Sequence, residues 1–297
     1  MTVRAVVRGV GHYLPARAVP NAEFEARLDT TDEWIRSRSG IERRHFASAE
    51  ETTSFMGAEA ARRALARAGW GADMLDAVIV ATSTPDLTFP SAATMVQKAL
   101  GMRSGFAFDL QAVCAGFVYA LTTANALIVA GQARRVAVIG AETFSKILDW
   151  TDRSTCVLFE AAEGDGTAAD RGVLSADLNS DGTFRDLLYV DGGIAAGHPG
   201  HLRMEGREVF RHAVEKLART AEAALHRAGL TGADVDWIVP HQANLRIIRA
   251  TAQKMGVPME RVVVTVQDHG NTSAASIPLA LSVGVERLAW GAVVLRW

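Results

Sequence analysis

The stretch Asp109-Leu110-Gln111-Ala112-Val113-Cys114-Ala115-Gly116-Phe117 decides how this chain is read. A run expected to be buried, Phe106 to Leu110, leads to a cysteine, and small residues then open a helical pattern through Tyr119, Leu121 and Leu127. A thiol at a strand-to-helix junction meets unpaired backbone N–H groups and the positive end of the helix dipole, which favours thiolate and lowers the cysteine pKa. The alternative at this point is a small buried thiol that packs as a hydrophobe.

Working outward, 297 residues suit one large or two ordinary domains, and 49% hydrophobic residues allow a full core. A net charge of −2 argues against general nucleic-acid binding, so any basic patch is local. Two cysteines, Cys114 and Cys156, make no disulfide framework and fit a reducing compartment. Residues 1–5 start in a strand-like pattern without a signal peptide, and no apolar run reaches the ~18–20 residues of a membrane helix. The expectation is a soluble, cytoplasmic protein.

Residues 3–10 alternate as a strand. Gly9 and Gly11 fail as a dinucleotide fingerprint, because Leu14-Pro15 stands where a helix should open, and they read as a strand-end turn. Asn21 is placed to cap a short helix over 22–28. Asp32 and Glu33 begin another that carries Trp34, Arg36 and Arg38. The pattern predicts helices over 53–68, 91–100 and 207–228, strands over 75–81 and 135–139, and a polar loop over 149–156. His198 and His201 have no third ligand near them, so no metal site is assigned.

The two halves repeat. Ala64-Leu65-Ala66-Arg67-Ala68-Gly69 matches Ala224-Leu225-His226-Arg227-Ala228-Gly229 at an offset of 160, which returns at Asp76 and Asp236, each opening an apolar strand. Gln97-Lys98 pairs with Gln253-Lys254 at 156, followed by β-rich runs over 105–110 and 261–266. Two similar α/β halves about a pseudo-twofold axis follow, divided as 1–170 and 171–297. Asn271 follows the second half's equivalent of the strand before Cys114, at an offset of 157, and His241 ends the other repeated strand. The pseudo-twofold brings these strand ends toward one crevice, where α/β sheets bind ligands.

Val113-Cys114-Ala115-Gly116-Phe117, Pro240-His241-Gln242-Ala243-Asn244 and His269-Gly270-Asn271-Thr272-Ser273-Ala274-Ala275-Ser276 together resemble β-ketoacyl-acyl carrier protein synthase III. The likeness extends to residues 11–15, Asp32-Glu33-Trp34 and 89–93. It implies a thiolase-like α/β fold in five α-β-α-β-α layers, a homodimer, and the initiating condensing reaction of type II fatty acid synthesis. It implies no cofactor. Acetyl-CoA or another short acyl-CoA would acylate Cys114, and malonyl-acyl carrier protein would then be condensed onto the acyl group. His241 and Asn271 would donate hydrogen bonds to the enolate oxygen. His269 would be structural and Cys156 non-catalytic.

The resemblance also places Trp34, Arg38 and Arg153 around the CoA adenine. Phe89 would line the acyl pocket, with Gly206, Phe210 and Asn244 at the CoA site. Gln242, Ala243, Asn244, Leu245 and Arg246 would meet the acyl carrier protein, aided by a basic patch of Arg211, Arg246, Arg249 and Lys254. Related readings are a thiolase-fold acyltransferase or ketide synthase of secondary metabolism, and an impaired acyl-CoA or carrier-protein binder. A cysteine hydrolase fits less well, because the repeat sets Asn271 opposite Cys114.

Two junctions depart from the family pattern. Glu160 follows Phe159 where a Gly-rich strand segment is expected, and Leu288 follows Arg287 where the family has a core strand and a Gly-rich loop. That loop supplies the second backbone donor of the oxyanion hole. Deleting a core strand exposes a sheet edge, so the preferred reading is that the numbering closes over omitted residues, against a chain that is truly shorter.

Overall fold

Alternation and apolar runs build the first half around one sheet. The computed structural model describes residues 2–146, 152–198, 200–287 and 295–296. Strand β1 (Thr2–Tyr13) is followed by β2 (Arg17–Pro20), helices α1 (Ala22–Glu25) and α2 (Asp32–Ser39), and β3 (Arg43–Phe46), which pairs antiparallel with β2 in a small separate sheet. Then come α3 (Thr53–Ala68), β4 (Ala77–Ala81), α4 (Ala92–Leu100), β5 (Phe106–Leu110), α5 (Gly116–Val129), β6 (Arg135–Thr143) and β7 (Asp152–Gly164). The second half holds β8 (Gly172–Val173), β9 (Leu188–Val190), β10 (Leu202–Met204), α6 (Gly206–Arg227), α7 (Leu245–Lys254), α8 (Val266–His269), α9 (Ser276–Arg287) and β11 (Leu295–Arg296).

The main sheet runs β1-β7-β6-β4-β5, with β4 parallel to both neighbours and β7 antiparallel to β6 and β1. β4 and β6 are buried on both faces, as their continuous apolar runs require. Val78, Val80, Ala137, Ile139 and Leu158 meet α3 and α4 on one side; Ile79, Val136, Val138, Val157 and Phe159 meet α5 on the other. Ala274 and Leu281 join that second face, so α5 and α9 form a shared central layer. Beyond it, Ile238 pairs in parallel with Val262, and both pack under α7. The layers therefore run helix, sheet, helix, strand, helix, the thiolase-like order.

Several local expectations are corrected. Gly9 and Gly11 lie inside β1, not in a turn; a Cβ on Gly9 would sit 2.5 Å from the Ala64 carbonyl oxygen of α3. Close packing of helix on strand explains both glycines. Asn21 does not cap α1: its amide donates to Asp32 (2.8 Å) and to the Ile41 carbonyl (2.8 Å), and its oxygen accepts from Arg44 (2.7 Å). Cys156 stands not in a loop but in β7, fully buried between Gly11 and Ile139. The β-rich run of the second half stops short, because Val266 opens α8.

The Phe159–Glu160 junction is an ordinary peptide bond within β7. Phe159 pairs with Val136 and Val7, and Glu160 with Arg135 and Val6. A ladder registered on both sides leaves no room for omitted residues, so the preferred reading fails there. The Arg287–Leu288 junction lies outside the described residues.

Candidate active site

The thiol sits where β5 gives way to α5. Leu110 ends the strand at the sheet edge, and Val113–Ala115 form a short 3₁₀ turn in which Val113 adopts φ 46°. A β-branched residue in left-handed backbone is an unfavourable state that surrounding structure must hold, and such states cluster at functional sites. The second half repeats it: Ser273 has φ 47°, Ser273–Ala275 form the same turn, and α9 follows as α5 does. Val113 and Ser273 are 160 residues apart, whereas the strands before them pair at Ala107 and Val262, 155 apart. The difference is the five residues 266–270, α8 plus Gly270. By backbone shape the opposite number of Cys114 is therefore Ala274, and Asn271 corresponds to Gln111; the 157 offset is corrected accordingly.

The two turns touch each other. Gly116 allows this, since a Cβ there would lie 3.3 Å from Ala274 Cβ, and Gly140 does so more strictly, with a Cβ 2.5 Å from the Ala274 carbonyl oxygen. Asn271 Oδ1 accepts the Ser273 N–H at 3.0 Å, fixing which end of the amide donates elsewhere. His241 Nδ1 is hydrogen-bonded to the hydroxyl of Ser276, the first residue of α9. That oxygen also accepts the Gln242 N–H at 3.3 Å. With the hydroxyl donating to Nδ1, a neutral ring carries its own proton on Nε2, ready to donate; the reverse direction belongs to the other tautomer. Burial supports the neutral ring, pushing His241 down to about 4. Cys114, Asn271 and His241 are thus tied to the two ends of one turn pair.

Electrostatics at the thiol reverse the sequence expectation. Burial pushes Cys114 up to about 11; the Ser273 hydroxyl and the backbone N–H pull it down, and the Glu142 charge raises it further. Desolvation outweighs the helix terminus here. Glu142, at the end of β6, is the residue the sequence reading passed over. It is fully buried, and its Oε2 accepts from Thr84 Oγ1 (2.7 Å), Ser83 N (3.1 Å) and Thr82 Oγ1 (3.3 Å). Burial pushes its carboxyl up to about 7. The signal was an acid closing the apolar run Val136-Ala137-Val138-Ile139-Gly140-Ala141, a position charged residues rarely occupy.

The surface residues form a second cluster. Arg38 lies over the Trp34 ring at 5.9 Å, and Asn244 donates to the Arg38 carbonyl at 2.9 Å while capping α7. Leu245 packs against Gly40, and Arg246 lies over Phe210 at 5.4 Å, with Gly206 opening the same helix. Arg211, Arg249 and Lys254 are exposed, Arg211 pairing with Glu208; Ala243 is half-buried. Gln242 is corrected: 1% exposed, it bonds Pro240, Val263 and Thr265 internally and cannot meet a partner protein. Phe89 is 82% exposed on this chain. The Arg153 side chain lies outside the description. No described helix is long and apolar enough to cross a membrane.

Residues 108–187 match the family described as 3-oxoacyl-[acyl-carrier-protein (ACP)] synthase III, and residues 225–297 match its C-terminal counterpart. A β-ketoacyl-[acyl-carrier-protein] synthase III of Ruegeria pomeroyi is 69% identical, covering 100% of both chains over 323 aligned positions. Those are 26 more positions than this chain has residues (323 against 297), so the relative carries residues absent here. Among solved structures, the 3-oxoacyl-[acyl-carrier-protein] synthase III of Aquifex aeolicus superposes with TM-score 0.90 at 38% identity, covering 97% of this chain and 92% of that one. The priming β-ketosynthase of the R1128 polyketide pathway gives 0.87 at 35%, covering 97% and 90%. Paired turns of this shape on a shared fold, with full-length identity of 69%, mean that the chain belongs to the β-ketoacyl-[acyl-carrier-protein] synthase III family, the condensing enzymes that start type II fatty acid synthesis.

Proposed function

We propose that Cys114 takes an acyl group from acetyl-CoA or another short acyl-CoA and condenses it with malonyl-acyl carrier protein. The thiol sulfur attacks the thioester carbon as its proton passes to a neighbouring base, and the C–S bond to CoA breaks to release CoA thiolate, which takes a proton from water. Malonyl-acyl carrier protein then loses CO₂, and the electron pair of that C–C bond forms a thioester enolate. Its carbon attacks the acyl carbonyl, and Cys114 departs as thiolate and regains a proton. His241 Nε2–H and the Asn271 amide donate to the enolate oxygen; neither group can become an anion near pH 7, so neither repels the charge they stabilise. No step calls for a cofactor.

The observation that carries this reading is the meeting of the two left-handed turns, which sets the thiol against the loop of Asn271 and the helix start that holds His241. Trp34, Arg38, Asn244 and Phe210 suit the adenine end of CoA, and Arg211, Arg246, Arg249 and Lys254 suit an acidic carrier protein. A homodimer joined along the open β5 edge agrees with Phe106 and Phe108 stacked there, Phe106 at 38% exposed. The working halves are residues 1–170, with the thiol, and 171–297, with the imidazole and amide, in a cytoplasmic enzyme.

Intact-mass measurement after acetyl-CoA treatment should show one acetyl group, absent in Cys114→Ser, and malonyl-acyl carrier protein should remove it as a 3-oxoacyl product. The chain's shortness favours one second reading, an acyl-binding relative that loads without turning over. Acetylation that malonyl-acyl carrier protein leaves in place would select it. No acetylation at all would refute the nucleophile.

A further inference from the structure

A carboxyl buried only for structure needs both oxygens satisfied, because an unpaired buried acceptor costs about 1–3 kcal/mol. Glu142 is divided. Three donors hold Oε2, while among the described residues Oε1 makes no hydrogen bond although it is fully enclosed. The Ser273 hydroxyl is also enclosed without a bond of full geometry, yet it acts on both Glu142 and Cys114. A hydroxyl both accepts and donates, so it can pass a proton from one side to the other. The turn of Ser273, at φ 47°, packs against both the turn of Cys114 and strand β6, which carries Glu142, so its hydroxyl is within reach of carboxyl and thiol.

No described cation neutralises this carboxylate. The loop after β4 offers Thr82, Ser83 and Thr84; α3 offers Thr53, bonded to Thr84 and Thr143; the two turns offer Cys114 and Ser273. Arg153 is paired with Glu142 in backbone register on β7, its side chain lying outside the description. Burial raises the carboxyl to about 7, so near neutral pH carboxylate and acid are both populated and the group can take up or give back a proton. The raised carboxyl and the raised thiol agree with one proton shared between them.

We propose that Glu142 is the proton store of Cys114, taking the thiol proton through the Ser273 hydroxyl during acylation and returning it after condensation. This rests on the reading of Cys114 as the nucleophile. In the first half-reaction the thiol, the Glu142 carboxylate and the acyl-CoA give the acyl-thioester, the Glu142 acid and CoA thiolate, which is protonated by water. In the second, condensation releases the Cys114 thiolate, and Glu142 returns its proton, restoring thiol and carboxylate. Glu142 touches no substrate and is a positioning and proton-holding residue.

The test sets two rates against each other in Glu142→Gln. Removing the charge makes the thiol more acidic, so alkylation by iodoacetamide near neutral pH should rise, by ~10-fold for each unit the thiol falls. Acetylation by acetyl-CoA in single turnover should instead slow by ~10²-fold, the range of a lost proton acceptor. Both rates rising would mean that Glu142 only suppresses the thiol; both falling would mean a structural role; neither changing would mean no role. Each overturns the proposal. A wild type that never acetylates overturns the nucleophile itself, a separate result. Wild-type protein supplies an arm independent of variant folding: infrared difference spectra should show a protonated carboxyl band growing on acetylation and vanishing on condensation. A wild type without that band also overturns the proposal.

Discussion

Glu142→Gln should make this protein more stable at neutral and alkaline pH, although it alters a buried, hydrogen-bonded side chain. The carboxyl titrates near 4.5 in an unfolded chain and at about 7 when folded. Between those values the folded state binds the extra proton, so stability falls as pH rises. Stability from this group is fully present below the unfolded pKa and is lost as pH passes the folded one. About two and a half units at ~1.4 kcal/mol each amount to about 3 kcal/mol. Glutamine does not titrate. Its carbonyl can keep the donors Thr82, Ser83 and Thr84 now give Oε2, and its NH₂ then takes the place of Oε1, which has no bond to lose. The net gain at about pH 8 is then roughly 1–3 kcal/mol, shrinking to zero or a small loss near pH 5. Urea unfolding followed by circular dichroism at both pH values measures it. The depressed His241 adds a slope of opposite sign between its folded value of about 4 and its unfolded value of 6.5, but it is common to both proteins and cancels in the difference. Parallel stability curves for wild type and variant would refute a raised Glu142 carboxyl.

Three further outcomes follow from named contacts. Ser276→Ala removes the hydroxyl that holds His241 Nδ1 and should lower kcat for condensation by ~10–10²-fold while leaving Cys114 acetylation intact; nitrogen NMR of the ring should show the Nε2–H tautomer losing population. Gly140→Ala drives a Cβ to 2.5 Å from the Ala274 carbonyl oxygen, so the turn of Ser273 must shift, costing about 1–3 kcal/mol in thermal or urea unfolding and slowing acetylation. Asp109→Asn weakens the carboxylate that accepts the Ala92 and Ala93 N–H groups (2.8 and 2.7 Å) at the start of α4, and should cost ~1–2 kcal/mol in urea unfolding without changing the acetylated site.

Much of the fold was open to reading because its elements announce themselves locally. Gly69, Gly101 and Gly229 follow their helices at positive φ, Ser91 and Thr52 cap α4 and α3, and the apolar runs of β4 and β6 are long enough for a doubly covered sheet. Repetition then exposed the pseudo-twofold, and motif order pointed to Cys114, His241 and Asn271. What escaped were features set by partners distant in sequence. Gly9 and Gly11 look like a turn until α3 lies against them. Gln242 looks like surface beside exposed Arg246, yet its amide braces Pro240 and Val263. The offset from Cys114 to Asn271 counted residues where backbone shape, interrupted by α8, sets the correspondence.

Taken alone, the sequence determined the two-half α/β plan, because periodicity, capping and repetition act over a few residues, and its motifs proposed the thiol, the imidazole and the amide as the working groups. Only the tertiary structure decided the electrostatic state of the thiol. Its place before a helix predicts an acidic cysteine; enclosure beside Glu142 and Ser273 makes it a weak acid at about 11. Desolvation depends on everything that packs around a group, and Glu142 of β6 and the turn of Ser273 come to Cys114 only once the chain has folded.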